Sequence, residues 1–168
     1  WVSRIAYRTR ELANAYPNSG FIENERAYWE DEPCWQGSRE LIERVLATYD
    51  WAEHFVALNI VAKPAFDEAF VRQLGQSAQR YDDMLLAQLL AAQWIDSERS
   101  RRWTKALVDF ARQTEGNSAL LTDWVSKWTA LGNDAIEAYC DALPDNPKAA
   151  QAAKEATEEF RAALGFVA

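Results

Sequence analysis

The sequence predicts an all-α fold made of long helices, and three observations carry that reading. Breakers are scarce: 6 Gly and 5 Pro in 168 residues, too few for the many turns of an all-β fold. Residues 76–115 contain neither of them. Apolar residues recur every three to four positions through most of the chain, the period of a helix face. The length, with 49% apolar and 26% charged residues, suits one globular domain with a single core. The expected unit is therefore one helical domain over residues 1–168.

Taken in order, residues 1–16 place Ile5, Leu12 and Tyr16 near one face and Arg4, Arg8, Arg10 and Glu11 elsewhere. This is a helix ended by the turn-forming run Pro17-Asn18-Ser19-Gly20. A short helix fits residues 22–31. Pro33 suits the first turn of the next helix, because its missing N–H has no intrahelical partner there. From Cys34 to Lys63 the only breaker is Gly37. One apolar strip there runs through Ile42, Val45, Leu46, Tyr49, Val56 and Ile60, and a second through Ala47, Trp51, Leu58 and Val61. Two strips predict a helix buried on more than one side, which Pro64 should kink or end.

Within residues 76–115, Leu85, Leu89 and Ala92 form one stripe, resumed by Trp103, Leu107 and Phe110 after the polar run Asp96–Arg102. Asn117 is placed as the N-cap of a helix over Ser118–Leu131. Gly132-Asn133-Asp134 should break or restart it, with a further helix to about Ala142. Leu143-Pro144-Asp145-Asn146-Pro147 reads as a turn with Pro at the start of the last helix, which should stop near Leu164 with Gly165 beyond its end. There is no internal repeat and no low-complexity linker.

Charge and composition exclude several function classes. The net charge is −8, from 18 basic and 26 acidic residues, with a pI near 4.7. Such a surface repels phosphate backbones, so no nucleic-acid partner is expected. No apolar run approaches the roughly 20 residues that span a bilayer, so no membrane partner is expected either. The start WVSRIAYRTRE carries charges throughout and is not a secretory signal. Cys34 and Cys140 fit no metal spacing. A disulfide is one reading, and two ordinary buried thiols in a reducing cytosol is the reading preferred. The first residue is Trp1 and the only Met is Met84, so the segment is expected to be processed or cut from a longer chain.

Few constellations could carry chemistry. The run Asp96-Ser97-Glu98-Arg99-Ser100-Arg101-Arg102 interrupts a buried stripe in mid-helix. Continuing the register from Leu85, Leu89 and Ala92 brings Asp96 and Arg99 to the inner face, where they can pair at i,i+3. One reading is a catalytic or metal-binding carboxylate cluster; the other is a structural ion-pair network or an exposed segment. His54 is the single histidine and sits beside Glu53, with Asp50 one turn earlier. A di-iron carboxylate bundle uses two Glu-x-x-His motifs on facing helices. Here Trp51 stands three positions before His54 and there is no second His, so such a site cannot be self-contained. There is no Gly-x-Ser-x-Gly elbow and no Gly-rich phosphate loop. No catalytic, cofactor-binding or metal-ligating residue is therefore assigned. The remaining signal is aromatic: 8 Trp, 6 Tyr and 7 Phe. They fill a core or anchor a large interface, and one small domain has limited room inside.

The run Tyr28-Trp29-Glu30-Asp31-Glu32-Pro33-Cys34-Trp35-Gln36-Gly37, with Arg39-Glu40-Leu41-Ile42-Glu43, Tyr49-Asp50-Trp51-Ala52-Glu53 and Ala57-Leu58-Asn59-Ile60-Val61, resembles the β subunits of bacterial multicomponent monooxygenases of the toluene/o-xylene and alkene type. Ser3–Leu12, Arg101-Arg102-Trp103 and Ile136–Cys140 fit the same pattern. The resemblance is distributed over essentially the whole chain.

It implies a ferritin-like helical bundle. In the catalytic α subunit of that family, half of a di-iron site comes from an Asp-Glu-x-Arg-His pattern. Asp96-Ser97-Glu98-Arg99-Ser100 looks like its relic, with both ligand positions serine. The implied role is a non-catalytic, structural β subunit without a cofactor of its own. The di-iron centre is expected in the partner α subunit, where oxygen is activated and one atom enters an aromatic or alkene hydrocarbon. Implied partners are the α subunit and a small γ subunit in an (αβγ)2 assembly, a regulatory protein, and electron-transfer components fed by NADH. The implied location is cytoplasmic, and an N-terminal extension that wraps the α subunit is expected to be missing from this segment. Two other readings stay open: a stand-alone helical interaction module, and an enzyme using a bundle-core carboxylate such as Asp96 or Glu53.

Overall fold

The computed structural model describes residues 2–20 and 23–166, and among them every regular element is helical. α1 spans Val2–Ala15, α2 Glu25–Asp31 and α3 Pro33–Ala47. α4 runs without a break over residues 51–80. α5 spans Met84–Ala111, α6 Asn117–Cys140 and α7 Asn146–Ala163. Trp1 and Ile22, the expected first residues of two helices, lie outside the described residues.

α4 is the central helix, and three apolar clusters are strung along it. Ala57, Val61 and Ala62 pack with Leu41 and Val45 of α3 and Trp128 and Ala135 of α6. Val56 and Ile60 pack with Val108 of α5, Leu121 and Val125 of α6, and Leu164 and Phe166 beyond α7. Ala65 and Ala69 meet Ile136, Cys140, Leu143, Ala149 and Ala153. Of the two apolar strips expected, the first is buried at Val45, Val56 and Ile60 but exposed at Leu46 and Tyr49, and of the second only Val61 is buried while Ala47, Trp51 and Leu58 are exposed.

Several boundaries differ from expectation, each for a local reason. The run 34–63 is not one helix. The Asp50 carboxylate accepts from the Ala52 and Glu53 amides at 2.9 Å and so starts α4 afresh after Thr48. Pro64 does not end α4. Ala57–Ala62 and Asp67–Gln73 are π-helical, and the Lys63 amide donates five residues back to Leu58. A wide turn directly ahead of Pro64 spares the chain the i→i−4 bond that proline cannot make. Residues 76–115 do contain a break, at Tyr81–Asp83, because Asp82 takes a left-handed φ of 62° and Asp83 caps α5 through the Leu86 amide. The N-cap of α6 is Gly116, at φ 86°, rather than Asn117.

Gly132 does not interrupt α6. A Cβ there would lie 2.6 Å from Val61 Cγ1, so glycine lets α4 approach. Gly37 is likewise no breaker: its Cβ would lie 2.7 Å from the Asp134 carbonyl oxygen, so α3 and α6 touch backbone to backbone. The last helix ends as expected. Gly165 is left-handed and the Phe166 amide reaches back to the Arg161 carbonyl at 2.9 Å.

Candidate functional site

The deepest charge in the molecule lies where α4 crosses α5. Glu68 sits in the second π-helical stretch of α4 and is fully buried. Its Oε1 accepts from Arg101 of α5 at 2.9 Å and its Oε2 from Arg72 at 3.4 Å. The Arg101 guanidinium lies 4.8 Å from the Trp94 ring centre and 5.1 Å from that of Phe160, and Arg72 lies 5.3 Å from Trp94. Trp94 in turn donates to Glu98 at 3.2 Å. One turn before Glu68, Lys63 donates to Asp67 at 2.7 Å. Ser97 and Thr104 of α5 are buried alongside.

This geometry limits the chemistry. The Glu68 carboxylate faces two guanidinium groups, and Asp67 is engaged by an ammonium. A metal ion at either would have to displace its cation, and opening the buried Glu68–Arg101 pair costs about 3–5 kcal/mol. Asp96 and Arg99 do pair, at 3.1 Å, but they are not on the inner face: both side chains are about half exposed or more. The inward stripe of α5 is Leu90, Ser97, Thr104 and Val108, with Arg101 between. Periodicity chose the more apolar of two helical stripes, and the polar one is inside. The Glu68–Arg101 pair, 33 residues apart in the chain, had no sequence signal beyond the interruption at 96–102.

The other singled-out residues are satisfied elsewhere. Glu53 accepts from Lys127 at 2.6 Å and from the Trp128 indole at 3.0 Å, and half-buried His54 shares its helix. Cys34 and Cys140 are free thiols. Burial, then Asp141, pushes the Cys140 thiol up to about 11. Burial and then Glu32 raise Cys34. The Tyr139 hydroxyl, which lies in the aromatic cluster with Trp35 and Phe70, is pushed up to about 12, chiefly by burial.

A di-iron centre needs several carboxylate and imidazole ligands around one point. Among the described residues, no three His, Cys, Asp or Glu side chains gather in that way. Within Asp96–Ser100, Ser97 is buried and Ser100 half-buried, and neither serine carries a charge. The described residues therefore do not fit the group.

The expected inner stripe of α5 lies instead on the surface with part of α4. Trp51 is 77% exposed, Trp103 55% and Phe110 67%. Trp103 packs edge-on against Phe55 with ring centres 5.7 Å apart, so Trp51, Phe55 and Leu58 of α4 continue into Trp103, Leu107 and Phe110 of α5. This is an apolar strip across two helices with no cover among the described residues, and contiguous exposed apolar surface of this kind marks interaction surfaces. No helix of the described residues is long and apolar enough to cross a membrane.

Comparison with known proteins agrees with this picture. The chain is 43% identical over 157 residues to the hydroxylase β subunit of the toluene-4-monooxygenase system of Ectopseudomonas mendocina, covering 94% of this chain and 48% of that one. It is 30% identical over 118 residues to the hydroxylase small subunit of propane 2-monooxygenase from Mycolicibacterium goodii, covering 67% and 32%. The chain thus spans about half the length of the first relative and a third of the second. It superimposes on a chain of toluene 4-monooxygenase, solved with toluene in the resting active site, with a TM-score of 0.79 and 46% identity over 83% of this chain and 46% of that chain. Residues 1–115 match the methane/phenol/alkene hydroxylase family, and the chain belongs to that family.

Proposed function

We propose that the chain is part of the non-catalytic, structural β subunit of a di-iron hydroxylase that inserts one oxygen atom into aromatic or alkene hydrocarbons. It holds no catalytic, cofactor-binding or metal residue and folds as one ferritin-like domain. The di-iron centre belongs to a partner α subunit, which supplies the oxygen chemistry. The further partners are a small γ subunit in an (αβγ)2 assembly, a regulatory protein and NADH-fed electron-transfer components, all in the cytoplasm.

The observation that carries this is the buried charge at the α4–α5 crossing: Glu68 is locked by Arg101 and Arg72 rather than free to bind metal, with uncharged Ser97 buried on α5, and no group of three metal-ligating side chains gathers among the described residues. The uncovered strip from Trp51 to Phe110 supports a role in packing on another subunit. It also argues against a stand-alone module, which would present a polar exterior.

Co-expression with the neighbouring hydroxylase genes tests the proposal. The full chain should purify in a complex with a larger subunit, and iron should follow that subunit after separation. Iron bound stoichiometrically to this chain, or a chain that purifies alone, would overturn it.

A further inference from the structure

α5 buries one stripe and leaves another bare. Leu90, Ser97, Thr104 and Val108 face inward. Along another side run two sets that each repeat every seven residues: Leu89, Asp96, Trp103 and Phe110, and, offset by three, Leu85, Ala92, Arg99 and Ala106. Leu89 and Asp96 are half-buried and the other six are exposed. Steps of four and three sustained in this way make the seam of a helix pair, where knobs of one helix enter holes of the other. The seam runs from Leu85 to Phe110, about seven turns and ~38 Å. Its shape therefore calls for one long helix as cover.

The residues also say which helix. Set α5 antiparallel to a copy of itself, about a two-fold axis between Ser97 and Glu98. Leu85 then meets the copy's Phe110, Leu89 its Ala106, Ala92 its Trp103 and Asp96 its Arg99, and each layer occurs twice. Leu89 and Trp103 each face an alanine, so large side chains interdigitate with small ones. The Asp96–Arg99 pair, 3.1 Å apart within one helix, becomes a neutral ring of two carboxylates and two guanidinium groups. A parallel pair would instead set Asp96 on Asp96 and Trp103 on Trp103, with like charges in contact. An antiparallel contact of this kind is isologous and closes at two copies. Trp51 of α4, also exposed, widens the apolar surface beside the seam.

From this self-complementarity we propose that α5 is a two-fold interface, pairing the chain with a second copy of itself antiparallel and centred on Asp96 and Arg99. The inference goes beyond the reading of the chain as a hydroxylase subunit and does not depend on it.

The test uses the full chain co-expressed with the neighbouring hydroxylase genes. In a Cys34→Ser background, Leu89→Cys is combined with Ala106→Cys and a short thiol-to-thiol cross-linker is added. The two positions are 17 residues apart in one helix, ~26 Å, too far for a bridge within one chain. A covalent dimer of this chain should form. Either thiol alone lies ~26 Å from its own copy across the axis and should give no dimer. On the two-thiol chain, Asp96→Arg sets guanidinium against guanidinium and Arg99→Asp sets carboxylate against carboxylate. Each should lower the dimer yield at least about tenfold, and co-expressing the two variants should restore it, because every contact is then acid against base. Both side chains are about half exposed or more, so neither change disturbs the core. No dimer, a dimer from a single thiol, a cross-link to a different polypeptide, charge variants that dimerise like the parent, or no rescue on mixing would each overturn the proposal. A chain that purifies without a larger subunit yet gives the dimer in this register would sink the subunit reading and support this one.

Discussion

Alanine at three helical glycines should give three different outcomes. In a helix interior Gly→Ala by itself stabilises by about 1 kcal/mol, through helix propensity and a less flexible unfolded chain. Space decides whether that gain survives. At Gly75 the new Cβ would meet Leu90 Cβ at 3.4 Å, an ordinary contact, so Gly75→Ala should stabilise by about 0.5–1 kcal/mol. At Gly132 the obstacle is Val61 Cγ1 at 2.6 Å. Overpacking of that kind costs about 1–3 kcal/mol, which leaves a net loss of up to about 2, and Val61→Ala in the same chain should relieve the clash. At Gly37 the obstacle is backbone, with the Asp134 oxygen at 2.7 Å and Ala135 Cα at 2.9 Å. No side chain can turn away there. α3 must lift off α6, and the cost sits at the upper end of the range, about 3 kcal/mol, for a net loss of about 2. At about 2–4 °C per kcal/mol for a chain of this size, Gly37→Ala should melt roughly 4–8 °C lower and Gly75→Ala a few degrees higher. Thermal unfolding of the assembled protein followed by circular dichroism reads all three. A Gly37→Ala protein that melts at or above wild type would refute the backbone-contact reasoning, and a Gly132→Ala protein that Val61→Ala does not rescue would refute the side-chain one.

Three further outcomes follow from the charges and thiols. Glu68→Gln leaves Arg101 buried without its anion and should destabilise by about 3 kcal/mol, while Glu68→Met with Arg101→Met should recover most of that; turnover per assembled complex should stay unchanged, and a selective loss of turnover would restore a catalytic reading of the cluster. Asp50→Ala removes the carboxylate that accepts two amides at the start of α4 and should cost about 1 kcal/mol in chemical denaturation. Cys140 and Tyr139 are held protonated by burial. The unfolded chain then releases their protons first as pH rises, so their contribution is intact below about pH 9 and is lost between about 9 and 12. Stability measured across that range should fall, Cys34 should be alkylated before Cys140, and an alkaline plateau in stability would contradict the burial of both groups.

How much of this was legible in the sequence depends on which force sets each feature. Helix existence, the cap at Gly165 and the turn at Pro144 are local, and local chemistry predicts them. The start of α4 was also local, since Asp50 is a good cap, but uninterrupted apolar spacing across Thr48–Asp50 concealed it. Gly37 and Gly132 look like breakers until the packing partner is known; their meaning lies in Asp134 and Val61. The inner face of α5 could not be chosen by periodicity, because both of its stripes are helical and the more apolar one points outwards. Glu68 and Arg101 meet only through the wide turn in α4, which has no sequence mark apart from Pro64. The absence of a second histidine was readable at once.

The two wide turns in α4 have a consequence for inheritance. A turn closed five residues back takes in one residue more than an α turn. A single-residue deletion within Ala57–Ala62 can therefore be taken up by closing the wide turn to an α turn, whereas one from the regular stretch Trp51–Val56 would shorten α4 by only about 1.5 Å and rotate everything beyond by about 100°. Glu68 would swing away from Arg101, and Ala65 and Ala69 away from Cys140 and Ala153. In this helix, phase rather than length is what the packing fixes, so a single-residue deletion between Trp51 and Val56 should be far less tolerated than one between Ala57 and Ala62.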